Sequence, residues 1–117
     1  MVELDLPMPP SANHIWSRTK TGMRHSDRYR AWMDEAGWIA KAQYPQPFLG
    51  PYKLTVRIAR PDKRKRDLDN FAFKALNDLL VRLGIVEDDC FCEMITARWV
   101  SAGDGVHVRV EPAGREA

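Results

Sequence analysis

Hydrophobic and polar residues alternate one by one in four stretches of the chain and recur at helical spacing in two others. Val2, Leu4 and Leu6 alternate with Glu3 and Asp5, the period of a half-buried strand. Pro7, Pro9 and Pro10 end it, because proline cannot donate to a ladder. Tyr29, Trp32, Met33, Ala36 and Ala40 form the stripe of a first helix, capped by Ser26 or Asp27 and stopped by Pro45 and Pro47. Trp32 reads as a core anchor rather than a base-stacking platform, and Trp38, off the stripe, as a subunit contact. Gly50-Pro51 turns the chain into a second strand, where Leu54, Val56 and Ile58 alternate with Thr55, Arg57 and Ala59. A second helix is expected from Asn70 to Leu83, with Ala72, Leu76, Leu79, Leu80 and Leu83 on one stripe and Phe73 beside it. Asp69 or Asn70 would be its N-cap and Gly84 its stop. Cys92 to Val100 and Val106 to Val110 alternate on either side of Gly103-Asp104-Gly105, which predicts a closing antiparallel hairpin. The expected fold is α+β: one domain spanning 1–117, with a small, mostly antiparallel sheet, two main helices and a frayed tail over 112–117.

Composition narrows the class. At 117 residues, 44% hydrophobic and 29% charged, the chain reads as globular rather than disordered. Its net charge of +2 argues for no particular partner, so the local distribution of charge has to carry the case. No apolar run has the length of a membrane span, and Met1-Val2-Glu3-Leu4-Asp5 lacks the pattern of a signal peptide. Cys90 and Cys92, the only cysteines, exclude a disulfide framework and suggest a reducing cytoplasm. Both are expected on one face of a strand as ordinary packing; His14, His25 and His107 have no zinc-ligand spacing with them. His107 is expected to face solvent, and His14 to be the histidine nearest a candidate site. No organic cofactor motif occurs.

Charge is concentrated around one stretch. A cationic stripe begins at Arg57 and continues through Arg60, Lys63, Arg64, Lys65 and Arg66 into Asp67-Leu68-Asp69-Asn70. Cations suit a phosphate backbone, whereas clustered carboxylates suit a hard divalent ion set between them and the phosphate. In an extended segment Asp67 and Asp69 would share one face while Leu68 points to the core. A second pair, Asp88-Asp89, follows the second helix. A helix of about 14 residues is roughly 21 Å long. The pairs therefore meet only if the chain after Leu83 folds back along the helix, or if the helix begins later. Taken singly, Asp69 is a cap, Asp67 a partner of Arg66, and Asp88 a turn residue. Arg18, Lys20 and Arg24 lie in a mobile basic loop available to phosphate, and Asn13 either faces a site or closes a turn.

Arg66-Asp67-Leu68-Asp69-Asn70, then Lys74-Ala75-Leu76, then Gly84 and Asp88-Asp89 before a strand, resembles the RusA-type endodeoxyribonucleases, a family of Holliday junction resolvases often carried by prophages. Pro9-Pro10-Ser11-Ala12-Asn13 after the first strand is similar as well. The resemblance implies a small homodimer that binds four-way DNA junctions and nicks two opposed strands with Mg2+, for which Mn2+ could substitute. It implies metal ligation by Asp67, Asp69 and Asp89 and a catalytic role for Lys74. Three residues, Phe71-Ala72-Phe73, separate Asn70 from Lys74 where the family pattern has two. Counted back from the last strands, the register selects Lys74 and Asp89. Counted forward from Asp69, it selects Asp88 and puts Phe73 in the lysine's place. One extra residue turns a helix by about 100°, so a bulge or a shifted cap must absorb it. The competing readings are a protein that binds junction or duplex DNA without cutting it, and an enzyme acting on RNA or a nucleotide with the same metal logic.

Overall fold

The computed structural model describes residues 1–62 and 66–113. Strand β1 (Val2–Leu6) leads through a 3-10 turn at Ala12–His14 to β2 (Trp16–Thr19), β3 (Gly22–His25) and helix α1 (Asp27–Ala42). Then come β4 (Tyr52–Ala59), a 3-10 turn at Leu68–Asn70, α2 (Phe73–Arg82), a 3-10 turn at Asp89–Phe91, β5 (Cys92–Val100) and β6 (Val106–Pro112). The main sheet has the order β1-β6-β4-β5; β2 and β3 form a separate hairpin.

One face of the sheet is dry. Leu4 lies opposite Val108, which lies opposite Val56, and all three are buried. Tyr29, Trp32, Met33, Ala36 and Ala40 of α1, and Ala75, Leu76, Leu79 and Leu80 of α2, pack onto that face. Helix α1 starts as the sequence suggests. The Ser26 hydroxyl accepts from Tyr29 N–H at 3.1 Å and donates to the carbonyl of His14, tying the cap to the preceding loop. Trp32 Nε1 donates to the Pro7 carbonyl at 2.8 Å. At the other end of α1, Gln43 bonds both the N–H and the carbonyl of Asp5, covering the free edge of β1. Trp38 projects outward, 74% exposed.

The closing hairpin does not form. β4 lies between β5 and β6, pairing parallel with β5 and antiparallel with β6. Two of the three pairings in the sheet are therefore antiparallel. Leu54, Val56 and Ile58 are fully buried, and a central position for β4 is what buries them. Residues 101–105 then carry the chain from β5 past the end of β4 rather than through a tight turn, and Ala59 N–H donates to the Gly105 carbonyl at 3.0 Å. Gly105 has φ +69°, and a Cβ there would collide with the Leu6 carbonyl. β6 reaches Pro112, and Ala113 N–H bonds the Pro51 carbonyl at 3.2 Å, so the ordered sheet extends into the segment read as a tail.

The basic loop is also corrected. Arg18 and Arg24 sit in β2 and β3, and Lys20 in the turn between them. The Thr19 hydroxyl donates to the Gly22 carbonyl at 2.7 Å, and Gly22 takes φ +127°, so the turn closes on its own side chains.

Helix α2 begins three residues later than the sequence pattern suggests. Asn70 N–H bonds the Asp67 carbonyl and Phe71 N–H the Leu68 carbonyl, so Asp69 and Asn70 belong to a 3-10 turn and neither caps α2. Phe71 is extended, and Ala72 takes the cap position without a side-chain bond. Both are buried, and their burial outweighs continuation of the helix. Gly84, with φ +70°, ends α2, and Ile85 N–H returns to the Leu80 carbonyl at 2.9 Å.

Candidate nuclease site

The ten residues of α2 span about 15 Å, and residues 84–88 run back beside them. A shorter helix and a reversed chain together bring Asp89 to the first turn of α2. Lys74 Nζ lies 3.7 Å from Asp89 Oδ2 and 3.4 Å from Asp78 Oδ1. The other oxygen of Asp78 accepts from the Tyr29 hydroxyl at 2.8 Å, so α1 fixes the carboxylate that positions the lysine. Burial, and then the Asp78 carboxylate, hold the Tyr29 phenol well above its ordinary pKa, so it stays a donor. Lys74 is 68% exposed, and its charge is open to a ligand.

The acidic pair divides its work. Asp88 caps the Asp89–Phe91 turn, accepting from Cys90 N–H at 3.1 Å. That bond, followed by one with the Asp89 side chain, holds the Asp88 carboxyl below the usual range. Asp89 is the member that faces Lys74. Cys90 lies in this turn and Cys92 in β5, so the two do not share a strand face. Burial, with Asp88 next, raises the Cys90 thiol pKa.

The other carboxylates sit just before α2. Asp67 precedes the 3-10 turn and Asp69 is inside it, so the two do not share an extended segment, whereas Leu68, half buried, does pack against the core. Arg66 forms a fork with Asp62, at 2.6 and 3.3 Å, rather than pairing with Asp67. Among the described residues no ion pair holds Asp67 or Asp69, and both are exposed. Asp67 lines a depression of about 450 Å³ with Pro9, Ser11, Arg66, Asn70 and Trp99. The proline loop therefore faces this site. Asn13 lies in the exposed 3-10 turn beyond it, and His14 bonds Ser11 Oγ at 2.8 Å.

Both carboxylate groups occupy one end of α2, yet among the described residues no three His, Cys, Asp or Glu side chains converge as a metal site. The cationic stripe is also divided. Arg60 stacks over Trp99 at 5.1 Å, on the Asp67 side of the sheet. Arg57 emerges on the opposite face, beside His107 and Arg98. There His107 Nδ1 lies 2.8 Å from Asp5, so the ring is engaged in a polar row rather than free in solvent. Lys63, Arg64 and Lys65 lie outside the described residues.

Sequence reasoning missed the Tyr29–Asp78 support and the face of the β2–β3 hairpin. Lys74 and Asp78 are spaced i, i+4, the one local signal of their contact. His14 is near Asp67 through its bond to Ser11, and His25 lines the cavity that Asp89 also lines. No local pattern reports this, because β3 and the 88–91 turn are far apart in the chain.

The chain is a small α+β protein with a lysine and several carboxylates gathered at one end of α2. Residues 7–111 match the family model described as endodeoxyribonuclease RusA. The chain belongs to the RusA endodeoxyribonuclease family. It is 34% identical over 86 residues to the crossover junction endodeoxyribonuclease of Enterobacteria phage HK97, covering 72% of this chain and 70% of that protein. With the protein of the same name from Escherichia coli K12, identity is 33% over 87 residues, covering 74% and 72%. The Aquifex aeolicus relative is 30% identical over 112 residues, 92% of this chain and 86% of its own length. No helix among the described residues is long and apolar enough to cross a membrane.

Proposed function

We propose that this chain is a Mg2+-dependent endodeoxyribonuclease that resolves four-way DNA junctions by hydrolysing one phosphodiester in each of two opposed strands. The observation that carries the reading is the contact between Lys74 and Asp89 at the end of α2 where Asp67 and Asp69 also lie. Its relatives are named as crossover junction endodeoxyribonucleases, which supports the branched substrate.

The donor set fits a hard divalent ion. Asp67, Asp69 and Asp89 offer carboxylate oxygens only, and two of them are exposed without an ion-pair partner among the described residues. These three residues would hold Mg2+, or Mn2+ in its place, with Asp88 occupied as a turn cap. When bound, the ion polarises a phosphoryl oxygen and acidifies a water. The chain's own groups do the rest. Lys74, oriented by Asp78 and Tyr29, faces the scissile phosphate and offsets charge that develops on the leaving oxygen. Arg60, Lys63, Arg64, Lys65 and Arg66 hold the backbone beside the cut, and Arg18, Lys20 and Arg24 of the hairpin provide a further phosphate contact; neither group reads sequence. Arg57, on the other face of the sheet, serves a separate stretch of DNA. Two-fold symmetry in a homodimer presents one site to each of two strands. A DNA substrate puts the protein in the cytoplasm.

The separation of the two carboxylate groups favours one alternative, a junction-binding protein that does not cut. A labelled synthetic four-way junction, with linear duplex as control, separates them in Mg2+, Mn2+ and EDTA. Paired, metal-dependent nicks on the junction that disappear in Asp69→Asn are expected. Tight junction binding with no cutting in either metal would sink the nuclease reading.

A further inference from the structure

A cavity of about 600 Å³ lies between α1, α2 and the 88–91 turn, within the size range of small-molecule sites. Its apolar side is built by Tyr29, Met33 and Val81. Asp34, Asp78, Asp88 and Asp89 line the rest, against two cations, Arg30 and Arg82. Asp34 is already paired with Arg82 at 3.2 Å. Asp78 is held by Tyr29 and Lys74 and Asp88 by Cys90 N–H, and the remaining excess of carboxylate repels a phosphate, so the DNA backbone lies on the hairpin side rather than in the cavity.

An aromatic ladder leads into the cavity. Trp16 lies over His25 with centroids 4.3 Å apart, and His25 meets the edge of Tyr29 at 4.5 Å. Trp16 and Arg18 alternate onto one face of the hairpin, opposite His25 and Met23. That face leaves Trp16 50% and Met23 60% exposed, with Arg18 beside them. Exposed indole and thioether next to a cation match a base followed by its phosphate. The cavity also opens at Asp89, beside the proposed cutting site.

We infer that the exposed face of the β2–β3 hairpin binds a single nucleobase unstacked from the DNA next to the cut, with Trp16, backed by His25, stacking on the ring and Arg18 holding the adjoining phosphate. The inference rests on the proposed action on branched DNA. Nucleotides at a branch point have already lost part of their stacking, so extruding one costs less than in a duplex. A base held there would anchor the strand beside Lys74 and Asp89.

The test is equilibrium binding of the full chain in EDTA to four-way junctions, each lacking one base at a branch-point nucleotide. One abasic position is expected to weaken binding about tenfold, within the range of base–aromatic stacking. Trp16→Ala should weaken binding to the intact junction by a similar factor, with little further loss on that abasic junction. If the wild type prefers junction to duplex but no abasic position weakens it, or if the two losses multiply, the base site is overturned and the proposed function stands. If the wild type shows no preference for the junction, both fall.

Discussion

Lys74 gives the sharpest test because its structural and chemical contributions differ in size. Its ammonium is 3.4 Å from Asp78 and 3.7 Å from Asp89, but the side chain is 68% exposed. Exposed pairs of this kind contribute at most about 1 kcal/mol, and an i, i+4 helix pair about 0.3–0.5 kcal/mol. Lys74→Met keeps the aliphatic stem and removes only the charge. Its unfolding midpoint in urea should therefore shift by less than ~1 kcal/mol in free energy. If the ammonium meets charge developing on the scissile phosphate, its loss should slow cutting by about 10²–10³-fold, the scale of one oxyanion donor. The assay is single-turnover cleavage of a labelled junction in saturating Mg2+, beside urea unfolding of the same preparation. A variant that cuts at the wild-type rate refutes the role. So does a rate loss matched by an equal loss of stability, because the lysine would then be holding the fold rather than the phosphate.

Asp89→Asn should abolish cutting while Asp88→Asn keeps most of it, because Asp88 spends its carboxylate on Cys90 N–H; the opposite ranking in the same assay would transfer the role to Asp88. Ser26→Ala removes the α1 cap and its bond to His14, and should cost about 1–2 kcal/mol in urea unfolding. Arg109 holds the Glu3 carboxyl below its ordinary range, so this pair favours the folded state above that range and loses its effect as the pH falls through the lowered pKa. Glu3→Gln should flatten the acid limb of a stability–pH profile, and an unchanged limb would show that the pair is silent.

The elements were legible in the sequence because their signals are local. Alternation marked β1, β4 and β6, and the Tyr29-to-Ala40 stripe with its Ser26 cap marked α1. The same period of two cannot say which strand lies beside which. β5 and β6 flank Gly103-Asp104-Gly105 and read as a hairpin, yet β4 separates them, because only a central position buries Leu54, Val56 and Ile58 completely. For the site, residue types and spacing picked out Asp67, Asp69 and the Asp88-Asp89 pair, while Lys74 and the preference for Asp89 came from the resemblance to the RusA family. Tertiary structure gave the two acids different partners: the 3-10 turn uses Asp88 as its cap, and the fold-back along α2 sets Asp89 against Lys74. It also divided a cationic stripe that is continuous in sequence, sending Arg57 to one face of the sheet and Arg60 to the other. The physical reason is the same in each case. Side-chain period and capping are decided within a few residues, whereas strand neighbours, faces and charge partners are decided by which distant segments bury apolar surface together.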